Sequence, residues 1–275
     1  MNARTLTDSI TMLRRSLRRM RRYPSLTLFI AGIPVVLLLL FVYVFGATLG
    51  AGLAGPGVTG VPGPATASMS RDAYVAYVVP GILVITVAGA AQGTAISVAM
   101  DMTAGIIARF RTMAIARISV LAGHVIGSVI QALLATGLVL VVAVIIGFRP
   151  TTGPAAWLAA GGLLVLAAVG VSWLSVALGL VSDSVETASN LPMFLMLLPF
   201  LGSGFVPAAS MPGPLGWFAE HQPFTPIIET MRGLLLGTPI GDDGWIAVAW
   251  CLVLSLAGYL WARRLYERVP ARAAA

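Results

Sequence analysis

Lysine does not occur in this chain, and all 17 of its basic residues are arginine. Without lysine no G-x-x-x-x-G-K-[ST] phosphate loop can form, and no Schiff-base or pyridoxal-phosphate chemistry can run on this polypeptide. Hydrolysis of ATP by the P-loop route is thereby excluded. Cysteine is almost as scarce: Cys251 alone can neither close a disulfide within the chain nor build a cysteine-based metal site. The two histidines, His124 and His221, fall on opposite faces of the topology derived below, so no shared metal is expected. No serine stands in a G-x-S-x-G frame, which removes the nucleophile elbow. Charge itself is sparse. Only 10% of residues are Asp, Glu, Lys or Arg and 58% are hydrophobic, against about 25% charge in an ordinary soluble domain. Water is therefore the wrong solvent for most of the chain.

Long uncharged stretches take the place of charge. A spanning helix needs roughly 20 apolar residues, because the hydrocarbon core is about 30 Å thick. Stretches without Asp, Glu, Lys or Arg cover residues 23–70, 73–100, 118–148, 150–182, 187–219 and 244–262. They predict an all-α integral membrane protein with six spans, at about 26–49, 77–100, 118–147, 155–181, 191–206 and 245–262. The first apolar run is longer than a signal-peptide core and reads as a retained span. If each stretch crosses once, seven arginines precede the first span, three (Arg109, Arg111, Arg117) lie between the second and third, and four follow the sixth, all on one face. The other face receives only Arg71, Arg149 and Arg232. This is the positive-inside pattern, and it places both termini in the cytoplasm. The net charge of +7 is thus matched to anionic lipid headgroups rather than to nucleic acid. Arginine to the exclusion of lysine, with abundant Ala and Gly, fits a high-GC bacterium and hence a bacterial plasma (inner) membrane.

Three regions flank the spans. In residues 1–23, Leu6, Ile10, Leu13, Leu17 and Met20 form one apolar stripe at helical period, bordered by arginines. That pattern predicts a cytoplasmic amphipathic helix lying in the headgroup layer, ahead of a single transmembrane domain at 24–262 and a cytoplasmic tail at 263–275. The outer segment 207–244 is expected to form short helices before the last span, with Thr225 and Pro226 as cap and first residue of one and Gly237 just past its end. Trp217, His221, Pro223 and Pro226 are its candidate outer-gate residues; for His221 a local turn contact is the simpler reading. His124 is expected to be a polar residue at headgroup level. Close glycine pairs (Gly46/Gly50, Gly89/Gly93, Gly123/Gly127) would permit tight helix contact.

The spans lack buried carboxylates by this reading, with Asp101, Asp183, Glu186, Glu220 and Glu229 at their edges. A path without charge suits a bulky, mostly apolar cargo. Gln92, Thr94, Ser97 and Gln131 are candidates to line it, together with Met193, Phe194 and Met196; each also fits ordinary helix packing. Energy must then come from outside the chain. The inner loop 101–117 is amphipathic, with Ile106, Phe110 and Met113 on one stripe, and could dock into a partner protein or float on headgroups.

Three segments carry a family resemblance. They are YVVPGILVIT at 77–86, DMTAGIIARFRTMAIARISVLAGHV at 101–125, and the outer signature PFLGSGFVPAASMPGPLGWFAEHQPFTPIIETMRGLLLG at 199–237. The chain resembles the permease subunits of ABC type-2 transporters, the branch with the daunorubicin-resistance exporters. The resemblance implies six spans, a dimeric pore (homo- or heterodimer) and a separate ABC ATPase subunit that binds ATP and magnesium, with no cofactor on this chain. It also implies that Asp101, Gly105, Arg109, Phe110 and Arg111 form the ATPase-coupling surface, with Asp183 and Glu186 as a second contact. Ala114 stands where the family often has proline, and His124 where it often has arginine. The expected function is export of a hydrophobic or amphiphilic, drug-like small molecule by alternating access. A lipid or polysaccharide exporter of the same family is the alternative, and an ion-coupled carrier a more distant one.

Overall fold

The computed structural model describes residues 24–45, 71–103 and 117–272. The expected helix at 1–23 and the loop core at 104–116 lie outside the described residues. Every regular element among the described residues is helical. Helix α1 (Pro24–Leu39) runs on into a π-helical turn, Leu40–Phe45. Then come α2 (Arg71–Thr103), α3 (Arg117–Ile145) and α4 (Pro154–Val181). Two short helices follow, α5 (Val185–Asn190) and α6 (Met193–Leu197), the latter extended by a 3-10 turn at Leu198–Leu201. Then come α7 (Gly213–His221), α8 (Phe224–Leu236) and the last helix, α9 (Asp243–Arg272).

Four helices are long and apolar enough to cross a membrane: α2, α3, α4 and α9. The segments 30–44 and 185–201 are shorter apolar helices. The fifth hydrophobic segment is therefore not the continuous span at 191–206 that hydropathy suggests. Pro192 and Pro199 have no N–H to donate, the first caps α6 and the second opens the 3-10 turn, and the helix ends at Gly202. At about 1.5 Å per residue, a helix over 185–201 falls short of the roughly 30 Å hydrocarbon core.

The core is built around α2, which is buried on nearly every side from Tyr74 to Val98 and packs against α1, α3, α4, α5, α6 and α8. It begins at Arg71, two turns before the expected start of the second span. Asp72 lies in the first turn, where a carboxylate favours the helix dipole. Pro80 lies inside the helix rather than at its head. Gly81 beside it is required by a close approach: a Cβ there would stand 2.7 Å from the Gly204 Cα.

Glycine also sets two other crossings, and the expected Gly89/Gly93 pair is not one of them; Gly46 and Gly50 lie outside the described residues, and Gly123 and Gly127 are buried on α3. A Cβ on Gly179 would stand 2.6 Å from the Ala95 carbonyl, where α4 meets α2. One on Gly258 would stand 2.6 Å from the Leu174 amide, where α9 meets α4. Trp173 and Tyr259 pack edge to face at this second crossing, 5.1 Å apart. Gly89, by contrast, has nothing within 4 Å of an added Cβ, and Gly93 only the end of Ile30 at 3.7 Å. The last helix turns a mostly exposed face outward, from Trp245 to Trp261. It also continues through residues assigned to a tail, as far as Arg272. Arg263 and Glu267 pair one turn apart on this extension.

Candidate functional site

Chemistry-bearing side chains gather at two ends of the bundle. At one end, Asp101 in the last turn of α2 faces His124 on α3, with Nε2 3.2 Å from Oδ2. The two side chains are only 6% and 14% exposed. Below the pair, Val98, Leu121, Val125, Val176, Ala177, Leu180, Ala262 and Tyr266 form a second apolar core that joins α2, α3, α4 and α9. The two helices that flank residues 104–116 are thus tied to each other and to the rest of the bundle. Asp101 lies at the edge of its helix as expected, but it is buried there, and His124 is its ion-pair partner. Gly105, Arg109, Phe110 and Arg111 lie outside the described residues. Asp183, just before α5, and Glu186, in its first turn, are exposed; the amide of Thr187, the third residue of the helix, donates to the Ser184 hydroxyl cap at 3.1 Å.

The seven path candidates do not share one surface of the single chain. Gln92 Nε2 donates to the Ser189 carbonyl at 2.7 Å, which pins α5 to α2. Thr94 is buried, and Ser97 is half-buried on the same helix. Gln131 on α3 is half-buried, and its amide nitrogen has no protein partner. Met193 and Phe194 stand exposed on α6, while Met196 packs on the main core.

The opposite end holds the outer hairpin. Its helix α7 buries only Gly216 and Ala219 and leaves Trp217 64% exposed. His221 donates from Nδ1–H to the Trp217 carbonyl, 2.8 Å away, and its ring stacks on Trp217. That is the local contact the sequence suggests. Helix α8 starts two residues earlier than expected, with Pro223 rather than Thr225 as its cap and Phe224 rather than Pro226 as its first residue. The Thr225 hydroxyl is engaged elsewhere, donating to the Ala219 carbonyl and accepting from Gln222 Nε2. Pro226 is buried within the first turn. The helix ends as expected at Gly237, whose φ of 74° is left-handed and whose N–H reaches the Gly233 carbonyl.

A buried arginine is the main feature that sequence reasoning missed. Arg232 lies on α8, one of the short helices expected in 207–244, and it is only 4% exposed. It pairs with Glu229 one turn back. Its Nη2 donates to the Ser203 carbonyl at 2.9 Å and to the Tyr77 carbonyl at 3.3 Å, and its guanidinium lies 3.9 Å over the Tyr77 ring. The Tyr77 hydroxyl donates to the same Ser203 carbonyl at 3.1 Å. The signal available was a lone Glu and Arg three apart in an otherwise apolar helix; nothing in the sequence tied them to positions 77 and 203.

Among the described residues no group of three or more His, Cys, Asp or Glu could hold a metal ion. Residues 7–236 match the pattern of the family described as ABC-2 type transporter. The chain belongs to that family. It is therefore a multi-pass membrane permease, the non-catalytic transport subunit of an ABC-2 type exporter, and membership implies an ATPase partner. The permease is 26% identical over 237 residues to the daunorubicin resistance ABC transporter permease protein DrrB1 of Streptomyces coeruleorubidus, covering 86% of this chain and 77% of that one. It is 24% identical over 172 residues to the "Probable doxorubicin resistance ABC transporter permease protein DrrC" of Mycobacterium tuberculosis, covering 62% of each.

Proposed function

We propose that the permease is the pore-forming half of an ATP-driven exporter in a bacterial plasma membrane, with six crossings and both termini in the cytoplasm. In this reading α1 makes one further crossing, and the short helices of 185–201 together with the non-helical stretch 202–206 make the other. Two permease copies enclose the path, and a separate ATPase binds ATP and magnesium beneath them. The cargo is a hydrophobic or amphiphilic small molecule. Relatives named for resistance to daunorubicin and doxorubicin support that cargo class.

The observation that carries the reading is the Asp101–His124 pair. A loop can transmit force only if its two ends cannot part. Here the ends of 104–116 are joined by a buried polar pair and set on an apolar core shared by four helices. A push on Gly105, Arg109, Phe110 or Arg111 then tilts α2 and α3 together instead of peeling them apart. Asp183 and Glu186, beside the Gln92–Ser189 contact, give a second point of purchase on α2. Opposite, the hairpin bearing Trp217, His221, Pro223 and Pro226 closes the outer end of the path. Alternating access follows from tilting this bundle between the two closures.

The test is co-expression with candidate ATPases and assay of vanadate-sensitive ATP hydrolysis in the purified complex. Phe110→Ala is expected to abolish coupled hydrolysis while leaving the permease folded. Unchanged coupling in that variant would remove the docking role of 104–116.

A further inference from the structure

The outer hairpin is held unevenly. Helix α8 is fastened to the bundle at two points. Near its middle, Arg232 bonds backbone carbonyls of α2 (Tyr77) and of the 202–204 turn (Ser203). At its end, the Leu235 carbonyl accepts from the Thr151 amide at 3.3 Å, and the Leu236 carbonyl accepts from the Thr151 hydroxyl at 2.8 Å. The Gly81–Gly204 approach presses the same turn onto α2, backbone against backbone. Ten of the residues of α8 are buried, including Arg232 itself. Helix α7 shares none of this: two of its residues are buried, and the hydrogen bond that joins it to α8 is the single one from Thr225 to Ala219.

We infer that Arg232 is a positioning residue that welds α8, the outer end of α2 and the 202–204 turn into one rigid abutment, so that α7 alone is the moving leaf of the outer gate. The physical basis is the cost of exposing or orphaning a buried guanidinium. Its Nε–H makes no hydrogen bond, so the charge is held by Glu229 and by the two backbone carbonyls that accept from Nη2. Losing either carbonyl would orphan a further buried donor, so the elements that supply those acceptors move with the helix. Pro223 and Pro226 then belong to the fixed side of the gate, and Trp217 and His221 to the mobile side. The gate assignment rests on the exporter reading above; the weld itself does not.

Labelling in the full chain, reconstituted in lipid nanodiscs with both faces open to reagent, separates the two. In a Cys251→Ala background, Ser203→Cys places a thiol at a position that is 1% exposed and whose hydroxyl makes no hydrogen bond. It is expected to react slowly with a water-soluble maleimide. Adding Arg232→Gln should raise the rate on the order of tenfold or more, as local opening becomes easier without global unfolding. Ala177→Cys, in the separate inner core, should stay unreactive in the same variant. A Ser203→Cys rate unchanged by Arg232→Gln overturns the weld. If Ala177→Cys also reacts, the fold is lost and Arg232→Lys decides: an ammonium reaches fewer of these acceptors, so an intermediate rate supports the weld and an unchanged rate overturns it.

The second arm adds the ATPase partner and nucleotide. Trp217→Cys should change its labelling rate between nucleotide-free and vanadate-trapped complex, while Ser203→Cys should not. A nucleotide-dependent change at Ser203→Cys overturns the weld. A failure of Trp217→Cys to respond overturns the moving leaf and counts against the exporter reading, with the Arg232 result of the first arm standing.

Discussion

Asp101 and His124 show how a single contact changes what a residue means. Read along the chain, each is an isolated polar residue beside a hydrophobic run. In the fold they face each other at 3.2 Å, nearly out of solvent, and a buried polar group left without its partner is costly. His124→Ala should therefore lower stability by about 2 kcal/mol, between the loss of a buried hydrogen bond and the breaking of a buried ion pair. His124→Arg should restore most of that loss, because a guanidinium keeps the donor and fixes the charge. Thermal unfolding in detergent measures both, and a midpoint in His124→Ala equal to that of the parent would show that the pair holds nothing. Neither this contact nor the Arg232 cluster could be read from one sequence. Tyr77 and Ser203 lie 126 residues apart, and no local period connects them. What could be read was confined to neighbours in the chain, such as the left-handed Gly237 and the Trp217–His221 contact one turn apart.

The helices themselves were largely legible, because apolar length is a property of composition. α2, α3, α4 and α9 fall where uncharged runs of sufficient length occur. The fifth segment did not follow, since hydropathy sums side chains and is blind to the missing amides of Pro192 and Pro199. The Gly89/Gly93 pair fails as a helix crossing for a related reason. Thirty glycines offer many close pairs, and only the packed backbone reveals which of them need to be glycine. Gly179 and Gly89 make the contrast testable. Gly179→Ala drives a methyl against the Ala95 carbonyl and should cost about 1–3 kcal/mol. Gly89→Ala meets nothing within 4 Å and should instead stabilise its helix by about 0.5–1 kcal/mol. Unfolding midpoints of the two variants should move in opposite directions. A shared direction would mean that the α2–α4 crossing is looser than described.

For the molecule as a whole, the arginine distribution and the bundle tell one story from two directions. The charge pattern predicts a cytoplasmic position for 104–116, and packing ties the two helices that flank it to one apolar core shared by four helices. At the opposite end α8 is largely buried against the bundle and α7 is mostly exposed. Such a body has no means of hydrolysing ATP and a clear place to be pushed. The side on which that place lies decides everything else. In a Cys251→Ala background, Phe110→Cys should resist a membrane-impermeant maleimide in intact cells, react once the cells are opened, and be shielded when the partner ATPase is bound. Labelling of Phe110→Cys from outside intact cells would contradict the exporter mechanism outright.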